Sequence, residues 1–282
     1  MTPSAFPPVE LHTPLAPEQI QHFLDFGHVI LHDCFSRDAA QAVRDDAFSQ
    51  LGYDPQDATT WKQPLVGMFP SKPTPIREFS PLLWAAVCQL VGGEERVAEP
   101  NCGMGQLIIN FWRGRDEPWE APSPHVKGWH KDGDFFRHFL DSPEQGLLIV
   151  PLFSDVAHRG GGTVFAADSV PVVARFLSEH PEGIQPNEFD YQALLAQCSD
   201  FRELTGSVGD VALIHPFLLH SFSQNHLGKP RFISNINIKL REPMNFDRED
   251  AADFSPVENA ILQSLGSQRL TFAPTAPRES KY

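Results

Sequence analysis

The part of the chain that decides the fold carries GDVALIHPFLLH at residues 209–220 and PRFISNINIKL at residues 230–240. The apolar run at 210–214 predicts a strand, and the turn that follows it leads to His220. A second strand is predicted over 231–240, where Arg231, Ile233 and Asn235 share one face because side chains alternate along a strand. We expect this face to point into the protein, although a solvated polar face is the usual meaning of such alternation.

Other short strands, separated by turn residues, are predicted on the N-terminal side of this stretch. They lie at residues 28–31, 106–112, 146–150 and 162–166. Helical spacing and capping residues predict helices at 18–26, 36–50 and 255–266, and residues 171–204 are expected to be largely helical. Short strands in this number favour a barrel or a double-sheet jelly roll, so the predicted fold class is mainly β with flanking helices.

The length favours one domain, and we predict that residues 1–282 form it. Within it, residues 1–100 are a helical and loop region, with a Pro-rich lead at 1–16 and a long loop at 51–80. Residues from about 104 to 245 are the strand-rich core, with the helical segment 171–204 inserted in it. Residues 250–282 are a C-terminal helix and tail.

Two histidines and an aspartate form a candidate metal site. His130 and Asp132 stand in WHKDG at residues 129–133, and a strand would place both on one face. A lone H-x-D has a high chance of being accidental. The third ligand must come from a distant strand, and we prefer His220 to His215, which is expected to be a buried, hydrogen-bonded histidine. Two imidazoles and one carboxylate are the ligands of non-haem iron(II) oxygenases, and they also suit zinc.

Arg231 lies eleven residues after His220. A planar guanidinium can bind a carboxylate through two parallel hydrogen bonds. The sequence therefore suggests that a carboxylate-bearing cosubstrate is held beside the metal.

The composition excludes several classes of partner. The net charge is −14 over 282 residues, which repels phosphate backbones and anionic membranes. No apolar stretch is long enough to span a membrane, and the N-terminus lacks the pattern of a secretory signal. Cys34, Cys88, Cys102 and Cys198 are scattered, so we expect a reducing, cytoplasmic setting. The expected partner is a small-molecule substrate, and the sequence leaves the oligomeric state open.

The chain resembles the phytanoyl-CoA dioxygenase family of iron(II)- and 2-oxoglutarate-dependent oxygenases. The resemblance rests on LAPEQIQHF at 15–23 with GHVIL at 27–31, GWHKD at 128–132, GGTVF at 161–165, and the stretch from Gly209 to Arg231. It implies a double-stranded β-helix, the jelly-roll core also found in cupins. It also implies iron(II) on His130, Asp132 and His220, with O2 as cosubstrate and 2-oxoglutarate held by Arg231.

The chain departs from the family pattern at several positions. The family commonly has Pro-Gly-Ser-His after its Gly-Gly strand, where this chain has ADSV at 167–170. Some members have a hydroxyl residue two positions after the distal histidine or the arginine, where this chain has Phe222 and Ile233. The further candidates for binding the cosubstrate are Asn110 and Ser223.

The activity implied by the resemblance is hydroxylation of a small molecule, with conversion of 2-oxoglutarate to succinate and CO2. Desaturation and ring formation stay open, whereas Asp132 argues against halogenation, which resembling enzymes perform with a small residue at that position. One alternative is a zinc hydrolase, but it leaves Arg231 unexplained and lacks a Glu beside a ligand as base. Another is a jelly-roll binding module without catalytic activity.

Overall fold

The structure is a computed structural model that describes residues 14–98 and 105–279. Most of the Pro-rich lead, Cys102 and the last three residues of the tail lie outside these ranges. The other three cysteines are free thiols.

Helices lie at both ends of the described chain and between its strands. They are α1 (Pro17–Phe26), α2 (Arg37–Leu51), α3 (Ile76–Phe79), α4 (Pro81–Val91), α5 (Ser169–Ser178), α6 (Tyr191–Leu195) and α7 (Pro256–Ser264). The predicted N-terminal caps of α2 and α7 are present. Ser36 accepts from the N–H of Ala39 at the start of α2, and Ser255 accepts from the N–H of Glu258 at the start of α7.

The strands form two antiparallel sheets. They are β1 (His28–Leu31), β2 (Leu65–Met68), β3 (Gln106–Asn110), β4 (Leu147–Pro151), β5 (Thr163–Ala166), β6 (Phe201–Glu203), β7 (Val211–Ile214), β8 (His220–Phe222) and β9 (Arg231–Ile238). The larger sheet has the order β1-β7-β4-β9-β3-β2 and the smaller one β6-β5-β8. The expected sheet core with flanking helices is therefore confirmed.

Three local predictions are wrong in part. Residues 51–80 are not one long loop, because β2 pairs with β3 and α3 follows it. Residues 171–204 contain α6 and most of α5, but end in β6, which pairs with β5. His130 and Asp132 do not lie on a regular strand: His130 forms a single bridge with His220, and Asp132 follows in a bend.

The order of the sheets brings the candidate site together. Every residue of β4 is buried, as expected for a central strand covered on both faces. β9 lies between β4 and β3 in the larger sheet, which sets Arg231 opposite Asn110 in register. β8 is an edge strand of the smaller sheet, and the bridge with His130 adds the H-x-D segment beside it.

None of the helices in the two described ranges is long and apolar enough to cross a membrane.

Candidate metal centre and anion pocket

His130, Asp132 and His220 come together around one point. Asp132 Oδ1 lies 3.3 Å from His130 Nε2 and 3.6 Å from His220 Nε2. One ligand atom from each residue lies within 4.8 Å of the others, and this is the group of metal-ligating side chains found among the described residues. Three nitrogen and oxygen donors on one side of a point leave other coordination positions free.

Backbone hydrogen bonds hold the two histidines side by side. The N–H of His130 donates to the carbonyl of His220 and the N–H of His220 donates to that of His130, both at 3.0 Å. Each ring also has its Nδ1 near a carbonyl two residues earlier, Gly128 for His130 at 2.8 Å and Leu218 for His220 at 3.1 Å. A carbonyl accepts a hydrogen, so Nδ1 carries the proton and Nε2 presents a lone pair to the centre.

His220 Nε2 provides the test of whether a metal fits here. This atom is buried and has no hydrogen-bond partner within the described chain. A buried polar atom without a partner costs free energy, and a cation bound beside Asp132 would satisfy it. The donor set therefore fits a divalent metal.

The charges of the site prepare it for a cation. Burial alone would raise the pKa of Asp132, but the imidazoles of His220 and His130 hold that pKa well below its usual range. Burial lowers the pKa of His130, and the hydrogen bond and charge of Asp132 outweigh it, so that its pKa is raised overall. Asp132 is therefore ionised at neutral pH, and a bound metal would displace any proton on His130 Nε2.

Lys131 stands between His130 and Asp132 in sequence. Its side chain is buried, and its hydrogen bonds hold the H-x-D segment in place. Its Nζ donates to His138 Nδ1 at 2.8 Å, to Gln145 Oε1 at 3.2 Å and to the carbonyl of Asp132 at 3.4 Å. The other ring nitrogen of His138 lies 2.7 Å from the carbonyl of Gly133. These bonds replace the strand pairing that the segment lacks. Nothing in the sequence indicated this role, because a lysine that stands between two polar residues gives no sign that it is buried.

Arg231 is buried with 2% of its surface exposed, and no carboxylate of the described chain forms an ion pair with it. Its Nη1 donates to the carbonyl of Ile108 at 3.4 Å, and its Nε has no hydrogen-bond partner within residues 14–98 and 105–279. Burial, with a smaller contribution from the charge of Arg113, lowers its pKa to about 10, so it is a cation at neutral pH. An unpaired buried guanidinium is costly, and the arrangement suits an anionic ligand.

Asn110 and Ser223 have different surroundings. Asn110 is fully buried beside Arg231, its Oδ1 accepts from the N–H of Arg113 at 2.9 Å, and its Nδ2 lies 3.4 Å from the carbonyl of Ser223. The hydroxyl of Ser223 instead lies 3.0 Å from the carbonyl of Gly162 and 3.3 Å from Glu203. Since side chains alternate, Ser223 faces away from the side of β8 that carries His220.

His215 is the buried, hydrogen-bonded histidine that its position after β7 suggested. Its Nδ1 accepts from the N–H of Phe217 at 3.0 Å and its Nε2 lies 3.2 Å from the carbonyl of Val257 in α7. Burial lowers its pKa to about 3. It therefore links the turn before β8 to α7 and is not part of the metal-ligating group.

Comparison with known proteins supports the fold. No protein-family model and no curated protein matches this chain. Among solved structures, the epimerase SnoN in complex with Fe3+, alpha ketoglutarate and nogalamycin RO is 14% identical, with 79% of this chain and 82% of that chain covered and a TM-score of 0.50. The carbocyclase SnoK is 13% identical over 85% and 89%, with a TM-score of 0.49. EctD from S. alaskensis is 17% identical over 81% and 77%, with a TM-score of 0.47. The SnoN match shows a shared fold.

Proposed function

We propose that the protein is an iron(II)- and 2-oxoglutarate-dependent oxygenase of the phytanoyl-CoA dioxygenase type, with its two sheets forming a double-stranded β-helix. The observation that carries the proposal is the combination of an unpartnered, buried His220 Nε2 beside Asp132 with an unpaired, buried Arg231. A metal would be a partner for His220 Nε2, and the far carboxylate of a cosubstrate would be a partner for the guanidinium of Arg231. SnoN, which shares the fold, was crystallised with iron and alpha ketoglutarate.

In this proposal each residue has a separate task. His130, Asp132 and His220 hold iron(II), while Arg231 binds the far carboxylate of 2-oxoglutarate and the amide of Asn110 lies next to it. Ser223 is left out of the proposed pocket, because Gly162 and Glu203 already engage its hydroxyl. When bound, iron and 2-oxoglutarate supply the oxidation with O2, which releases succinate and CO2.

The protein's own contribution is placement and shielding. The Nδ1–carbonyl bonds keep both Nε2 atoms directed at the metal, and Lys131 fixes the carbonyl of Asp132 from the buried side. The burial of Arg231 strengthens its hold on a carboxylate, since little water competes. We propose hydroxylation of a small molecule as the reaction, with desaturation or ring formation as outcomes of the same oxidation.

The test begins with the cofactors. Protein purified without oxygen should bind one Fe(II), and added 2-oxoglutarate should give a visible metal-to-ligand charge-transfer band. Succinate formation is then measured against a panel of small molecules. The zinc-hydrolase alternative predicts the opposite pattern, in which zinc alone supports turnover and iron with 2-oxoglutarate gives no band. A binding module would bind panel members without forming succinate.

A further inference from the structure

A second arginine lies close to the candidate site. Arg113 follows β3, and its N–H donates to the buried amide oxygen of Asn110, the residue opposite Arg231. Its guanidinium carbon lies 3.5 Å from the centre of the Phe222 ring, a contact distance at which a guanidinium stacks on an aromatic face. Arg113 therefore reaches Asn110 through its main chain, next to Arg231, and its charge contributes to lowering the pKa of Arg231 after burial.

Phe222 connects Arg113 to the metal centre. It stands two residues after His220 in β8, so both side chains lie on the same face of the strand, about 7 Å apart along it. Gly128, two residues before His130, has a positive φ of 85° and leaves room for the Phe222 ring, which a Cβ there would approach to 3.1 Å. The stacked pair therefore lies beside the two histidines.

Arg113 has no acidic partner among the residues that the structure describes. No carboxylate in the described ranges forms an ion pair with its side chain, whereas the nearby, exposed Arg115 lies 3.8 Å from Asp116. Burial lowers the pKa of Arg113, and the charge of Glu117 opposes this only partly. A half-buried cation held on a ring and left without a counterion is suited to an anion that comes from solution.

The charges of the proposed complex show which ligand has that anion. Iron(II) and Arg231 together carry three positive charges. Asp132 and the two carboxylates of 2-oxoglutarate carry three negative charges, which balance them. The charge of Arg113 is therefore left over once metal and cosubstrate are bound, and one negative charge on the remaining ligand would balance it.

We propose that Arg113, stacked on Phe222, binds a carboxylate of the primary substrate and makes the enzyme selective for small monocarboxylic acids. A single unbalanced charge favours a carboxylate over the doubly charged phosphate monoester. This inference rests on the proposed function and adds a substrate class to it.

The experiment titrates the anaerobic Fe(II)–2-oxoglutarate complex of the full chain with matched pairs of acid and amide. The pairs are benzoate and benzamide, 3-phenylpropanoate and 3-phenylpropanamide, and hexanoate and hexanamide. Binding is followed by the change in the charge-transfer band. In the wild type at least one acid should bind about tenfold or more tightly than its amide, as expected for a charge-assisted hydrogen bond in a partly desolvated site.

Three variants are compared with the wild type. Arg113→Gln should lose the preference for the acid and keep its affinity for 2-oxoglutarate. Arg113→Lys keeps the positive charge but cannot stack a planar group on Phe222, so it should keep part of the preference for the acid over the amide. It replaces the glutamine variant in the experiment if that variant does not fold. Arg115→Gln, two residues away and exposed, should behave as the wild type.

Each other outcome is decisive. If no acid binds better than its amide, or if Arg113→Gln keeps the preference, the proposal is wrong. A rise of about tenfold in the Kd of 2-oxoglutarate in Arg113→Gln, with the acid preference unchanged, would assign Arg113 to the cosubstrate instead. Failure of the proposed function is seen earlier and separately, because the wild type would then form no charge-transfer band before any acid is added.

Discussion

Replacing Arg231 with methionine should stabilise the protein without ligands and weaken its binding of 2-oxoglutarate. Burial lowers the pKa of this arginine to about 10, against roughly 12.5 for a free arginine. At about 1.4 kcal/mol for each tenfold change in proton affinity, the buried charge costs on the order of 3 kcal/mol. Because the pKa is lower in the folded state, the charged guanidinium destabilises the folded protein at all pH values below about 10. This destabilisation is relieved only as the pH rises through the folded pKa.

Methionine fills a similar volume without a charge, so the free energy of unfolding of Arg231→Met should rise by about 1–3 kcal/mol at pH 7. The same change removes at least one charge-assisted hydrogen bond to the cosubstrate, worth about 1.5–3 kcal/mol, and the Kd of 2-oxoglutarate should rise more than about tenfold. Arg231→Lys should weaken 2-oxoglutarate binding with little gain in stability, because it keeps the charge.

The assay combines urea unfolding of the metal-free protein with titration of 2-oxoglutarate into the anaerobic Fe(II) form. Fe(II) affinity, measured separately, should change little. If Arg231→Met lowers stability and leaves the Kd of 2-oxoglutarate unchanged, the guanidinium is a structural group and the cosubstrate binds elsewhere. The spacing used to choose His220 would then lose its support as well.

Three further predictions concern the histidines and the metal. His220→Ala should weaken Fe(II) binding more than about 100-fold in a metal titration, whereas His215→Ala should cost about 1–3 kcal/mol in urea unfolding and leave Fe(II) affinity nearly unchanged; the reverse pattern would show that His215 is the ligand. Mn(II) at a hundred times its Kd should stabilise the wild type by about 2.7 kcal/mol against unfolding, and a similar gain in Asp132→Ala would place the metal elsewhere. Burial lowers the pKa of His28 to about 4. The contribution of neutral His28 to the free energy of unfolding is therefore complete above pH 6.5 and should be lost as the pH falls towards 4. His28→Gln should flatten this part of the pH profile in urea unfolding, and an unchanged profile would show that His28 is not the group responsible.

The local signals in the sequence were sufficient where structure depends on neighbouring residues. Ser255, Pro256 and Glu258 predicted the start of α7, and the capping hydrogen bonds form as expected. The continuous apolar run of β4 predicted a strand buried on both faces. In these cases the side chains that fix the backbone lie within one turn or one strand, so a short window contains the whole cause.

The signals failed where the cause is distant in sequence. β2 is four residues long and follows a proline, and only its pairing with β3 makes it a strand. The H-x-D segment has the spacing of a strand, but one bridge with His220 and the buried hydrogen bonds of Lys131 hold it in place. No pattern in the sequence set Arg113 against Phe222, which are more than a hundred residues apart.

The sequence by itself determined the kinds of residue available to the site: two imidazoles and a carboxylate at set spacings, and an arginine eleven residues after the second histidine. The tertiary structure decided which of these meet. It turned His215 towards α7 and His220 towards Asp132, buried Arg231 with no counterion among the described residues, and placed Arg113 against Phe222. The physical reason is that ligand type is a property of single side chains, whereas convergence, burial and missing partners depend on strand order and on packing between segments that are remote in the chain.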